Sequence, residues 1–577
     1  MYVPIHGARL IRPDLTLFSL WAPDAESISI ELGDGATYPM APCDGGWHRR
    51  EVPCGAGTGY RFIVDGQRRI PDPAARAQHD GINSFSKVVD HSSWQWSEHN
   101  WIGRPWHESV ICEVHVGLLN GFKGVSSLLP HFKRFGITAL ELMPIGEFPG
   151  ARNWGYDGVL PFAPHHTYGT PEDLKALIDA AHAHGIMIFI DVVYNHFGPD
   201  GNYLHDYASA FFRDDITTPW GAAIDFRRNE VRAFYIENAL MWLIDYRADG
   251  LRFDAVHAIS EQDFLIELAD RIRSAITPER HVHLILENEH NSATLLESGF
   301  DAQWNDDIHN VLHTILTGEE DGYYADFATH TTVKLARCLG EGFIYQGETT
   351  HQGISRGQAS GHLSPKSFIA FLQNHDQVGN RAFGERLITL TDTDRLVAAT
   401  ALLLLSPMIP MMFMGEEIGS RQPFFYFTDH SPELAQAVRA GRQKEFEKFL
   451  HFASSHQNIP DPNAPETFSA SNPYVRGHNN SSSFWSELYS SLLILRHQYI
   501  TPYLRNVRFG SSVVTGHCAV RSSWLLDETR VLVIDINIGR SETSYKDISG
   551  SETLFINRVN RATHVMEPGS VLVRIGR

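Results

Sequence analysis

Cysteine is scarce. The 577 residues hold five (Cys43, Cys54, Cys112, Cys338, Cys518), an odd number without metal-ligand spacing. That excludes a disulfide-stapled scaffold and a zinc-finger-type site, and reads as reduced thiols in a reducing compartment. Positive charge is short as well: 48 Lys+Arg stand against 68 Asp+Glu, a formal charge of −20. With no basic excess to displace counterions from phosphate, a nucleic-acid partner is excluded. Long apolar runs are missing too. The longest, 396–415, is interrupted by Thr400, Ser406, Pro407 and Pro410 and reads as a buried helix, a turn and a core strand rather than a membrane span. The opening Met-Tyr-Val-Pro-Ile-His shows no basic stretch followed by an apolar one, so a cytoplasmic chain without a membrane partner is expected.

What is present is an ordinary globular composition, 43% apolar and 20% charged, with 12 Trp and 31 His. Aromatic surplus in an acidic chain is compatible with sugar binding and proves nothing alone. The length calls for several domains. Over 1–100, Ile28, Ile30 and Leu32 alternate with Ser27, Ser29 and Glu31, and Tyr60, Phe62 and Val64 alternate before an Asp65-Gly66 turn. These short strands predict an N-terminal β-sandwich, either a sugar-binding module or a packing partner. Over 101–500 the pattern changes. Apolar strands at 110–116, 139–144, 187–193, 250–254, 282–287, 302–305, 368–373 and 411–415 alternate with helical stretches such as 171–184, 230–246 and 261–276. Eight such repeats predict an α/β fold, a (β/α)8 TIM barrel. Segment 197–226 is too long for a plain loop and forms an excursion after the third strand. Segment 456–483 reads as a long surface loop, with a last helix near 485–499. Residues 501–577 predict a C-terminal antiparallel β-domain. Oligomeric state is not legible.

In such a barrel, function lies where strands deliver residues to the C-terminal mouth. Four predicted strands end in polar clusters: Asp191-Val-Val-Tyr-Asn-His196; Asp249-Gly-Leu-Arg252-Phe-Asp254-Ala-Val-His257; Leu284-Ile-Leu-Glu287; and Gln373-Asn-His375-Asp376-Gln377. Arg252 and Asp254 are two apart and share a strand face, with Phe253 on the other. A guanidinium beside Asp254 favours its ionised form, as a nucleophile needs, or simply ties the barrel together. Glu287 follows three apolar residues, which would raise its pKa and keep it an acid. Two carboxyls in contrasting settings are what glycosidic cleavage requires. His196 and His375 are either sugar-hydroxyl partners or satisfied rim histidines. Asp191 and Asn195 permit a cation site, although an Asp191–Arg252 pair accounts better for the first. No Gly-rich phosphate loop opens a helix after the seventh or eighth strand, which disfavours phosphate chemistry.

In order and spacing, these four segments resemble the signature regions of glycoside hydrolase family 13, the α-amylase superfamily, over essentially the whole chain. The resemblance implies Asp254 as nucleophile, Glu287 as general acid/base and Asp376 as the transition-state-stabilising carboxylate. It also implies Tyr156, in Asn-Trp-Gly-Tyr-Asp, as the ring that stacks on the sugar at the cleavage subsite, with Arg252, His196, His257 and His375 around it. Further strings, among them 141–158, Gln303-Trp-Asn-Asp-Asp-Ile-His309 and 371–386, are similar to the branch that cuts the α-1,4 bond next to a terminal trehalose. That likeness implies malto-oligosyltrehalose and related α-glucans as partners and places Asp306, Asp307, His309, Gln377, Asn380 and Arg381 around them. Glycogen branching or debranching is the alternative within the superfamily. The chain departs from the family in a shorter loop after Gly117 and in Phe253, where Leu is common. No cofactor and no metal are expected.

Overall fold

A computed structural model describes residues 3–218, 221–446, 459–475 and 483–576. Eight strands close a barrel: β1 (Ile111–Val114), β2 (Ala139–Leu142), β3 (Met187–Val192), β4 (Gly250–Phe253), β5 (His283–Leu286), β6 (Ala302–Trp304), β7 (Phe368–Ala370) and β8 (Ile409–Phe413). All neighbours run parallel, and β8 closes on β1. The strands are buried along their whole length because helices cover the outer face and side chains fill the interior, so they read as unbroken apolar runs.

Parity along β4 shapes the site. Leu251 and Phe253 join the shell between barrel and helices, whereas the interior cluster takes residues from the other seven strands, such as Ile111, Phe189, Ile285 and Trp304. On the inner side β4 presents Gly250 and Arg252. A Cβ at Gly250 would sit 2.8 Å from the Phe189 ring and 2.6 Å from the His283 carbonyl, so glycine makes room for Phe189. β7 ends at Ala370, three residues short of its predicted end, because the Asn374 side chain accepts from the N–H groups of Asp376 and Gln377 and caps a five-residue helix, His375–Gly379.

The interrupted run 396–415 is the buried helix Thr393–Leu405, capped by Asp392, followed by β8. Among the described residues no helix is long and apolar enough to cross a membrane. The excursion after β3 carries a hairpin, Phe212–Thr218 with Gly221–Ile224. The expected surface loop 456–483 lies partly outside the described residues. Within it, Pro465–Ala470 is a helix with Thr467 buried, so that stretch corrects the loop reading: Thr467 Oγ1 donates to the Asp461 carbonyl, folding the segment back on itself.

Before the barrel lie a four-stranded and a five-stranded antiparallel sheet, with Phe18, Ile30, Tyr60 and Phe62 fully buried. The Asp65-Gly66 turn has both residues at positive φ (49° and 68°), the backbone of a tight hairpin. After the barrel comes a six-stranded antiparallel sheet spanning 508–576.

Candidate active site

Register sets the centre of the site. Asp191 on β3 pairs directly with Arg252 on β4, and Arg252 Nη1 donates to both Asp191 oxygens at 2.9 Å. The same nitrogen reaches Asp254 Oδ1 at 2.7 Å, while Nη2 lies 3.1 Å from Glu287 Oε2. One buried guanidinium therefore faces three carboxyl groups, with its carbon 4.2 Å from the Trp304 ring centre. Asn195 holds the far side of Asp254: its Nδ2 donates to Asp254 Oδ2 at 2.8 Å and to the Asp254 carbonyl, and its Oδ1 meets His196 Nδ1. Those bonds occupy the residue that a cation reading would need.

The two central carboxyls differ in setting. Burial pushes Asp254 up, but Arg252, His196 and the Asn195 amide outweigh it and hold the group below the usual aspartate range. Glu287 is driven well above the usual glutamate range, by burial first, against Arg252 and with the charges of Asp254, Asp376 and Asp306 adding to the rise. Between them the backbone takes an uncommon shape. Ala255, next to Asp254, has φ +40° and ψ +48°, left-handed for a residue with a Cβ. That twist aims its N–H at Glu287 Oε2, 2.6 Å away.

Tyr156 arrives from the β2 loop. Gly155 before it has φ +108°, and a Cβ there would lie 2.2 Å from the Pro144 carbonyl, so the turn requires glycine. The Tyr156 hydroxyl donates to Asp191 Oδ2 at 2.6 Å, and its ring stacks on His375 at 5.0 Å. His196 is engaged on both nitrogens, by Asn195 and by the Tyr156 carbonyl. Asp376 is 44% exposed and accepts from Asn380 Nδ2 at 3.0 Å. His257 borders Glu289 beyond β4.

The outer shell divides. Asp306 is half-buried in this cluster, and burial, with the charges of Asp307 and Asp376, lifts it to about 7 against Arg356. Among the described residues no donor meets the buried Oε1 of Gln377. Asp307 and His309 do not line the mouth. Asp307 is fully buried and accepts from Asn291, the backbone N–H groups of Ile344 and Tyr345, and Arg356. His309 Nδ1 is bonded to the Leu372 carbonyl at 2.7 Å. Arg381 is locked on both Glu319 oxygens and beside Glu385.

Sequence reasoning missed Glu113 on β1. Its carboxylate lies against the His375 ring and backbone, and the signal was an acid inside an otherwise apolar strand. Among the described residues one group has metal-ligand side chains close together, Glu147, His165 and His166. His166 Nδ1 sits 2.7 Å from Glu147 Oε1, a hydrogen-bond distance. His165 Nδ1 lies 3.2 Å from the same oxygen.

Residues 117–219 match the family described as Alpha amylase, catalytic domain. The chain is 38% identical over 514 residues to the malto-oligosyltrehalose trehalohydrolase of Deinococcus radiodurans, covering 87% of this chain and 84% of that one. A crystal structure of a Salmonella typhimurium protein described as an alpha amylase superposes with a TM-score of 0.93 at 41% identity, over 100% of both chains. Likeness to the 1,4-alpha-glucan branching enzyme of Pseudoalteromonas atlantica is 33% and covers only 45% of this chain and 41% of that one.

Proposed function

The chain belongs to the malto-oligosyltrehalose trehalohydrolases of the α-amylase superfamily, glycoside hydrolases that cut the α-1,4-glucosidic bond beside a terminal trehalose and release that sugar, and we propose that Asp254, Glu287 and Asp376 carry out the cut. Glu287, protonated because of its burial, gives its proton to the bridging oxygen as the C1–O bond breaks. Asp254, ionised beside Arg252, attacks C1 from the other side and forms a glycosyl ester. Water then enters, Glu287 takes its proton, and hydroxide character at C1 displaces Asp254, so configuration at C1 is retained. Asp376 accepts from ring hydroxyls next to the developing cation.

A single observation supports this division of labour most strongly: one guanidinium touches both carboxyls, yet their pKa values are pushed in opposite directions. Contact through one guanidinium favours the ~5–5.5 Å separation of a retaining pair over the wider spacing of an inverting one. Tyr156, stacked on His375, offers a ring face for the sugar at the cleavage point. Asp306, Gln377 and Asn380 offer polar groups for the trehalose side, where a site built for particular hydroxyls rejects a sugar that leaves them unpaired. A branching or debranching role has less support, since that likeness spans under half of the chain.

Product analysis on malto-oligosyltrehalose beside plain malto-oligosaccharide is the test. Trehalose is expected as the main disaccharide, with plain chains cut much more slowly. Equal rates on the two substrates would replace this reading with a general amylase or debranching activity.

A further inference from the structure

Strand β1 sends a carboxylate into the site from below. Glu113 Oε1 lies 2.5 Å from His375 Nδ1, and Oε2 accepts the His375 backbone N–H at 2.9 Å. Both side chains are buried, at 1% and 2% exposure, so no solvent dilutes the contact. This leaves Nε2 as the ring atom on the pocket side. It stands 3.7 Å from Asp376 Oδ1, beyond hydrogen-bond reach but near enough to share a sugar hydroxyl. We propose that Glu113 is a positioning residue that keeps His375 an imidazolium, so that the sugar stacked on Tyr156 meets a fixed charged donor at Nε2. The inference rests on the assignment of His375 to the sugar pocket.

The surroundings favour this charge state. Burial would lower the pKa of His375, but the charge of Glu113, then that of Asp376 and the Glu113 hydrogen bond, raise it to about 9 against Arg252 on β4. The other titratable groups facing the ring do not compete. His115, just past the end of β1, is held down to about 4 by burial and stays neutral. Glu141 on β2 pairs in register with Glu113, and both its oxygens are buried without partners among the described residues. Burial, then the Glu113 charge, drives Glu141 well above the usual range, so it keeps its own proton and adds no second negative charge. The remaining neighbours of the ring are aromatic: Tyr156 stacked, Trp154 edge-on and Trp304 at 6.2 Å.

Glu113→Gln removes the charge while keeping size and a carbonyl acceptor, and two readouts separate the possible failures. The first is NMR titration of the full-length protein with ring-labelled histidine, the His375 signal being the one lost in His375→Asn. Wild-type His375 is expected to titrate above pH ~8, and in Glu113→Gln below the ordinary histidine value of ~6.5. The second is the pH profile of kcat/KM on malto-oligosyltrehalose. At pH 7 Glu113→Gln should lose about tenfold, the difference between a charged and a neutral donor, and the loss should shrink below pH ~6, where the ring of the variant is charged again. A wild-type His375 that titrates at or below ~6.5 overturns the role of Glu113, and does so even if Glu113→Gln fails to fold. A charged His375 with kcat/KM unchanged by Glu113→Gln at pH 7 instead overturns the placing of His375 in the sugar pocket.

Discussion

Asp254 and Glu287 share Arg252, so single isosteric changes at each test separate properties. Asp254→Asn should cut turnover by about 10⁴-fold or more while unfolding stays cooperative, because the charge serves chemistry rather than packing. Activity against equilibrium denaturation checks this. Glu287→Gln should lose ~10²–10⁴-fold on malto-oligosyltrehalose and far less on an aryl glycoside, whose leaving group needs little protonation. Equal loss on both would remove Glu287 from the acid role. Glu287 also predicts a stability effect. Its pKa is raised in the folded chain, so folding binds its proton more tightly than the unfolded state does. Stability from this group is therefore full below the ordinary glutamate pKa and falls as pH rises from there toward the raised value. Gln carries no such dependence, so at pH 7–8 Glu287→Gln should melt at a higher temperature than the parent. A lower melting temperature would contradict the burial argument.

At the level of elements, the helix Asp306–Thr317 does two jobs with adjacent acids. Asp306 faces the mouth, whereas Asp307 points inward and gathers backbone N–H groups of Ile344 and Tyr345 and the Arg356 guanidinium. Asp307 thereby pins the segment 343–356, which runs from the helix Thr331–Glu341 past the site. Asp307→Ala leaves two buried N–H groups unmatched and takes the carboxylate from the part-buried Arg356, and should cost ~2–3 kcal/mol, seen as a lower denaturation midpoint and faster proteolysis within 343–356. Its effect on trehalose-capped and plain glucans should be alike. Gln377→Ala should show the opposite profile: little change in stability, and KM raised more for the trehalose-capped substrate, because among the described residues no donor meets the buried Oε1. Steady-state kinetics on the two substrates decides between them.

Across the whole molecule, the flanking sheets are joined to the barrel by polar ties at buried edges. Glu237 in the helix Asn229–Leu240 accepts the N–H groups of Ile5 and His6, anchoring the first sheets. On the other side, Arg395 donates to carbonyls of Ile315, Leu316 and Ile538, and Thr332 Oγ1 accepts the Cys518 N–H. Phe509 lies 5.9 Å from Phe368 on β7. A chain ending at residue 506 would expose these apolar faces and leave Arg395 without one of its carbonyls. Such a truncation is expected to aggregate or lose its cooperative melt, as size-exclusion chromatography and calorimetry would show.

Repeat pattern was enough to place the barrel and its flanking sheets, because strand parity and apolar flanks are local properties of a chain; Asp254 and Glu287 directly follow β4 and β5, whereas Asp376 lies in the short helix after β7. The Asp191–Arg252 pair, expected in place of a cation site, is set by the register of β3 against β4. Local pattern did not show that β7 ends early, since Asn374 competes for N–H groups only once the chain turns there. Nor did it separate Asp306 from Asp307, neighbours whose helical positions differ by about 100°. The pairing of Glu113 with His375, 262 residues apart, and the left-handed Ala255 were equally hidden. Which acids are present is written in the sequence. For Asp254 and Glu287 the split in protonation was legible locally, in Arg252 two residues away and in three apolar neighbours; for Asp306 and Glu141 it depends on burial and on charges brought close from other strands, and only closure of the barrel decided that.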